Sequence, residues 1–162
     1  MIRPARFTDI PEAAALLQNV FDRSHYASGL CGQIDTREVK RLLANAIQRH
    51  GGTNGGATWV QVAEADGVLT GLIVGTLARV YGIGTHLMAT DLFWVASPDV
   101  EPRDPAALMR SMIEWAKANP HVVEIKCGTT AVVNDDPKEA GRVLERLGLS
   151  HYGEIYRCEV TR

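Results

Sequence analysis

The stretch from residue 58 to residue 95 constrains this chain most. Residues 59–63 and 68–77 are strand-like runs rich in Val, Leu and Thr, and they flank Ala65-Asp66-Gly67. Asp-Gly between two such runs supplies the positive φ angles that a tight β-hairpin requires. Residues 85–95 follow as a third strand, rich in Thr, Phe, Trp and Val, side chains that suit a pleated, half-buried surface. The centre of the chain is therefore a three-strand meander.

The segments on either side have helical period. Residues 1–7 form a short strand. Asp9 and Glu12 then have the spacing of a capping box. Ile10, Ala13, Ala14, Leu17, Val20 and Phe21 share one helical face. A second helix begins at Asp35, with Glu38 three residues on, and Val39, Leu42, Leu43 and Ala46 form its apolar stripe. Residues 24–34 read as a loop or short irregular helix. Gly51-Gly52-Thr53-Asn54-Gly55-Gly56 reads as a flexible connector, because it lacks the Lys-Ser/Thr of a phosphate loop and no helix follows it.

Beyond the meander, Asp104 is a good N-cap and Pro105 a good first helical residue. Leu108, Met112, Trp115 and Ala116 line that helix, and Pro120 stops it. Residues 122–127 are apolar on both faces, which suits a covered central strand. A last helix starts near Asp136-Pro137, with Ala140, Val143, Leu144 and Leu147 as its stripe and Gly148 as a left-handed cap. Residues 156–160 form a final strand. The order is strand, helix, helix, three strands, helix, strand, helix, strand, which fits one domain over residues 1–162.

Composition excludes several classes. The chain has 17 basic and 19 acidic residues and a net charge of -2, with no block of one sign. A nucleic-acid partner is not expected without a basic face. Cys31, Cys127 and Cys158 are odd in number and form no C-x-x-C pair, so neither a disulfide framework nor a zinc site is indicated. A reducing compartment follows. His25, His50, His86, His121 and His151 lack metal-ligand spacing. There is no signal-peptide pattern and no apolar run long enough for a bilayer. The expectation is a cytoplasmic protein with no membrane partner and no metal.

This order of elements resembles the GNAT superfamily of acyl-CoA-dependent N-acyltransferases. Ile2-Arg3-Pro4-Ala5 through Asp9-Ile10-Pro11 looks like that family's first strand and helix. Ala89-Thr90-Asp91-Leu92-Phe93-Trp94-Val95, followed by Pro98, looks like its fourth strand. Met112-Ile113-Glu114-Trp115-Ala116 looks like its third helix, and the stretch from Ala140 through Leu144 to Leu147-Gly148-Leu149 like its fourth. The resemblance spans nearly the whole chain. It implies an α/β (α+β) domain with a mixed central sheet of six to seven strands flanked by about four helices.

It also implies a site. In the family the fourth and fifth strands splay, the pantetheine arm of acetyl-CoA lies between them, and the diphosphate meets the N-terminus of the third helix. That assigns Phe93, Trp94 and Val95 to the arm, Arg103, Asp104, Ala106 and Ala107 to the phosphates, and Asn134 to a further cofactor contact. The family's phosphate signature, Q/R-x-x-G-x-G/A, is missing there. No glycine stands in Pro102-Arg103-Asp104-Pro105-Ala106-Ala107, Pro105 lacks a donor, and Asp104 is of the wrong sign. A literal match occurs instead at Arg79-Val80-Tyr81-Gly82-Ile83-Gly84, but a strand follows it, so it reads as a turn.

For the chemistry, the resemblance points to Asp91 as the carboxylate that takes the amine's proton, with Glu124 as a second candidate. An oxyanion donor is expected from backbone N–H near Trp94 or Val95, where the family's strand bulges. The family's helical Tyr is replaced by Leu144, leaving Tyr152 and Tyr156 as substitutes. Phe21, His25 and Tyr26 are expected near the acceptor, a small-molecule amine. A homodimer is common in the family. The alternative is a GNAT-fold binding module that has lost catalysis. A nucleotide-binding protein would rest on the glycines alone.

Overall fold

The structure is a computed structural model that describes residues 1–27, 33–129 and 138–158. Its elements are β1 (Ile2–Pro4), α1 (Ile10–Asp22), α2 (Thr36–Gln48), β2 (Thr58–Ala65), β3 (Val68–Arg79), β4 (Leu87–Ala96), α3 (Asp104–Ala118), β5 (Val122–Lys126) and α4 (Lys138–Arg146). One sheet holds all five strands in the order β1-β2-β3-β4-β5. The first four run antiparallel and β5 lies parallel to β4. The hairpin turn forms where Asp-Gly requires it, with φ of 51° at Asp66 and 81° at Gly67.

Each face of the sheet is covered by the helices read from the sequence, with Leu16, Met109 and Ile113 added to the stripes it marked. Leu16 and Leu17 of α1 and Leu43 and Ala46 of α2 pack on Val60, Val62, Leu72 and Val74. On the other face Leu108, Met109, Met112 and Ile113 of α3 pack on Ala63 and Ile73, and Leu144 of α4 joins them. Each such side chain, fully buried, contributes about 1.5–3 kcal/mol. Two glycines set how closely α3 approaches. A Cβ at Gly75 would stand 2.6 Å from Met112, and one at Gly71 would stand 3.0 Å from Leu108. They are four residues apart on one strand face, so α3 lies directly on the backbone of β3.

Several expectations change. The sheet has five strands among the described residues, not six or seven. Residues 151–158 carry no regular structure, and Tyr152, Ile155 and Tyr156 are exposed; residues 159–162 lie outside the described part. The spacing of Asp9 and Glu12 does not make a capping box. A single 3-10 turn, Phe7–Asp9, precedes α1 and turns the Asp9 carboxylate back to Arg3 (2.6 and 3.0 Å) and the Arg6 N–H (2.7 Å). The Arg3 guanidinium holds that carboxyl below the usual range. Glu12 instead accepts the Leu69 N–H at 2.7 Å. The glycine connector is tied down rather than flexible. Gly56 N–H donates to Leu77 O, Trp115 Nε1 to Gly52 O and Asn119 Nδ2 to Thr53 O. By contrast, Asp35 caps α2 as expected, accepting the Arg37 and Glu38 N–H groups, and Gly148 (φ 90°) ends α4 with Leu149 N–H returning to Leu144 O. No helix among the described residues is long and apolar enough to cross a membrane.

Candidate active site

The sheet opens along one edge of β4. Toward β5, pairing runs from Leu87↔Val122 to Thr90↔Lys126 and then ends. Toward β3 it continues to Ala96. Residues 91–96 therefore keep a main-chain edge that β5 does not use. At the fork, the Gly128 N–H turns aside and donates to Asp91 Oδ1 at 3.2 Å. A side-chain acceptor has replaced the next rung of the ladder.

The bulge lies at Leu92, earlier than the expected position at Trp94 or Val95. Val74 pairs with Phe93 but Gly75 pairs with Asp91, which leaves Leu92 as the extra residue. The insertion resets the alternation of faces. Phe93 and Val95 pack with α1 and α2, while Trp94 packs with α3. Trp94 Nε1 donates to Pro105 O at 2.9 Å, so its ring braces the start of α3 beside the open edge.

Asp91 is the one expected catalytic carboxylate that stands at the fork. Burial pushes its carboxyl up; the Gly128 N–H works against that. Cys127 is beside it, and burial, reinforced by the negative charge of Asp91, pushes the thiol up to about 12. Cys127 is thus a protonated, half-buried packing residue, with its sulfur 3.6 Å from Met109 Sδ.

Glu124 lies farther down β5, in register with Met88, and its carboxylate is 3.6 Å from Lys126 Nζ. Lys126 escaped the sequence reading. It is the last paired residue of β5, opposite Thr90 and next to the fork. Its ammonium lies 4.5 Å from the Tyr81 ring centre and 4.7 Å from that of Tyr152, and donates to Tyr81 Oη at 3.1 Å. Tyr152 also reaches Tyr81 Oη, at 3.4 Å. Either phenol of this pair can donate; the bond with Tyr152 and the Lys126 ammonium push the Tyr81 phenol down, and the same bond pushes Tyr152 up. Tyr81 belongs to the stretch that matched the phosphate signature. That stretch is a turn into β4, with Tyr81 at φ 50° and Gly82 at φ 76°. The sequence showed only a glycine-containing turn between two strands there. Tyr156 is not part of this group; it donates to Glu154.

The tip of α3 has few groups to offer. Asp104 is the first helical residue and not the N-cap. Its N–H is taken by Glu101 O and that of Ala107 by Arg103 O, and Pro105 has none. Ala106 keeps an N–H with no acceptor among the described residues. Asp104 is 6 % exposed, and its Oδ2 has no hydrogen-bond partner among the described residues. Arg103 is exposed and Ala107 half-buried. Asn134 lies outside the described residues.

Phe21, His25 and Tyr26 sit at the end of α1. The rings of His25 and Tyr26 are 4.2 Å apart, and nearby Arg23 reaches Ala96 O at 3.4 Å, at the far end of β4. They do not line the cavity that reaches the bulge. That cavity, about 360 Å³, lies between α2 and the sheet, with Arg41, Ala46, Arg49, Val74, Thr76 and Leu92 among its walls.

No protein-family model matches the sequence, and no curated protein sequence matches it. Solved structures do. Glucosamine-6-phosphate N-acetyltransferase from Arabidopsis thaliana is similar over 99% of this chain and 98% of its own, at 10% identity and a TM-score of 0.68. Ribosomal-protein-alanine N-acetyltransferase from Brucella melitensis biovar Abortus 2308 is similar over 99% of both chains, at 14% identity and a TM-score of 0.65. A transcriptional regulator from Bacillus halodurans C-125 is similar over 99% of both chains, at 17% identity and a TM-score of 0.64. At such identities the likeness is one of fold.

Proposed function

We propose that this chain, a divergent GNAT superfamily member by its fold, is an N-acetyltransferase that moves an acetyl group from acetyl-CoA directly to the amine of a small molecule. The observation that carries this reading is the fork. Among the described residues, a main-chain edge that no strand pairs on the β5 side begins at Asp91, a half-buried carboxylate, and runs toward Ala96. Acetyltransferases among the structural neighbours support it.

The edge suits the amide-bearing pantetheine arm, because unpaired strand N–H and C=O groups accept an extended partner. Phe93, Trp94 and Val95 would wall that arm. At the α3 tip, Ala106 N–H, the helix dipole and the Arg103 guanidinium would meet the diphosphate, against the charge of Asp104. Acetyl-CoA supplies the thioester carbonyl. Asp91 takes a proton from the amine; its raised carboxyl brings it nearer the working pH. The N–H groups of Leu92 and Phe93, beside the bulge, face the carbonyl oxygen as it gains charge. The N–C bond forms, the C–S bond breaks and the sulfur leaves as a thiolate, which the Lys126 ammonium pairs with and the Tyr152 hydroxyl protonates. Glu124, on β5 opposite Met88 and short of the fork, is the second candidate carboxylate. Transfer is direct, because Cys127 is not a thiolate.

A binding module without catalysis is the second reading, favoured by Asp104 at the α3 tip and Leu144 in place of a helical Tyr. One experiment separates the two. Acetyl-CoA at a hundred times its Kd adds about 2.7 kcal/mol of stability, seen as a higher melting temperature, and thiol release is followed across an amine panel. Stabilisation with release supports the enzyme. Stabilisation without release supports the module, and neither result leaves the fork without its proposed ligand.

A further inference from the structure

We propose that the cavity between α2 and the sheet is the acceptor pocket, and that it selects an amine carrying an anionic group held by Arg49. This rests on the acetyl-transfer reading above. The cavity reaches Leu92, the bulge residue beside which that reading sets the reacting carbonyl. Leu42, Ala46 and Val74 make its floor apolar, and Arg49 stands exposed at its rim.

The charges on that wall do not cancel. Glu38 is engaged by Arg41 through two hydrogen bonds, 2.9 and 2.7 Å, which neutralises both. Arg49 has no carboxylate partner among the described residues. Its guanidinium lies over Gly56, where a Cβ would stand 3.6 Å from Nη1. Gly56 has φ 84°, so the conformation itself favours glycine, and no side chain shields the cation from the cavity. One arginine is thus left uncompensated at one end of a mostly apolar cleft. A planar guanidinium suits a carboxylate or a phosphate alike.

Register sets the length of the ligand. Gly56 N–H is bonded to Leu77 O, whereas Leu92 lies between the partners of Val74 and Gly75. The two ends are two to three residues apart along the strand and two strands apart across the sheet, about 12–13 Å in all. An extended ligand with its amine and its anionic group at opposite ends spans that distance.

The test uses the full chain and matched pairs: 6-aminohexanoate against n-hexylamine, and 6-aminohexyl phosphate against 6-aminohexanol. Thiol release from acetyl-CoA gives kcat/KM, and the melting temperature with each amine alone gives binding. The expected result is a preference of at least about tenfold for one anionic member over its neutral partner, 1.4 kcal/mol by the usual conversion. Which pair responds tells carboxylate from phosphate. Arg49→Gln should bring that ratio near one while Arg49→Lys keeps most of it, with acetyl-CoA still raising the melting temperature of both variants as proof of folding. Transfer to neutral amines with no anionic preference, or a preference undiminished in Arg49→Gln, overturns the inference and spares the acetyl-transfer reading. Absence of both acetyl-CoA stabilisation and thiol release overturns the two together.

Discussion

Along its β3 edge, β4 is paired from Leu87 to Ala96 with one extra residue; along its β5 edge, pairing stops at Thr90. The same ten residues thus meet two neighbours in different ways. On the β3 side, Gly71 and Gly75 let α3 press on the sheet, and the contact is tight enough that an added Cβ has no room. On the β5 side, Gly128 has nothing within 4 Å of a Cβ, and its N–H goes to a side chain. Residues 91 to 96 are half-buried or exposed, so their main-chain groups on this side are open to an extended partner that can pair with them. The packed edge holds the fold together, and the open edge is where binding has something to gain.

Removing the charge at the fork should give the largest effect. Asp91→Asn keeps an acceptor for Gly128 N–H but cannot take a proton, so thiol release should fall by about 10²–10⁴. Stability gives the control. Burial raises the Asp91 carboxyl above its unfolded value. Its favourable contribution is therefore complete below the unfolded pKa and is lost as pH rises through the folded one. The variant should melt higher than the wild type at pH 7, and the gap should close near pH 3.5. Equal turnover, or a gap that widens in acid, rules out Asp91 as the buried proton acceptor.

The packed edge can be strained directly. Gly75→Val sets branched carbon against Met112, which is fully buried and backed by Trp115. Overpacking of this kind costs about 1–3 kcal/mol, a drop of roughly 2–12 °C in Tm for a chain of this size. Gly128→Ala, on the open edge, should stay within about 0.5 kcal/mol of the wild type. Equal losses in the two variants would erase the distinction between the edges.

The difference also explains what was legible in the sequence. The hairpin at Asp66-Gly67, the stripes of all four helices and the Gly148 cap depend on residues close in the chain, and local spacing revealed them. The fork depends on where β5 leaves β4, thirty-five residues along the chain, and no local pattern marks it. Asp91 was reached through family resemblance, and the bulge was expected two or three residues too late, because one inserted residue changes pairing without changing composition. Residues 122–127 were expected to form a covered central strand, whereas β5 is the last strand of the sheet among the described residues; Lys126 carried no signal until Tyr81 and Tyr152 fold against it. The Asp9–Glu12 spacing misled for the same reason: a long-range arginine and a strand N–H outcompeted the local cap.

The smallest effect tests whether the open edge extends to the α3 tip. Asp35 and Asp104 both stand at helix starts, but Asp35 accepts two N–H groups whereas Asp104 leaves Oδ2 without a partner among the described residues. A carboxylate about 4 Å from a phosphate costs about 1 kcal/mol even at the dielectric of water. Asp104→Asn should then tighten acetyl-CoA binding about fivefold in calorimetry, and the gain should shrink as salt screens the pair. Asp35→Asn should leave that affinity unchanged, since Asn caps a helix as well as Asp and no phosphate is expected there. If Asp104→Asn binds no tighter at low salt, the diphosphate lies elsewhere and the open edge ends short of the helix.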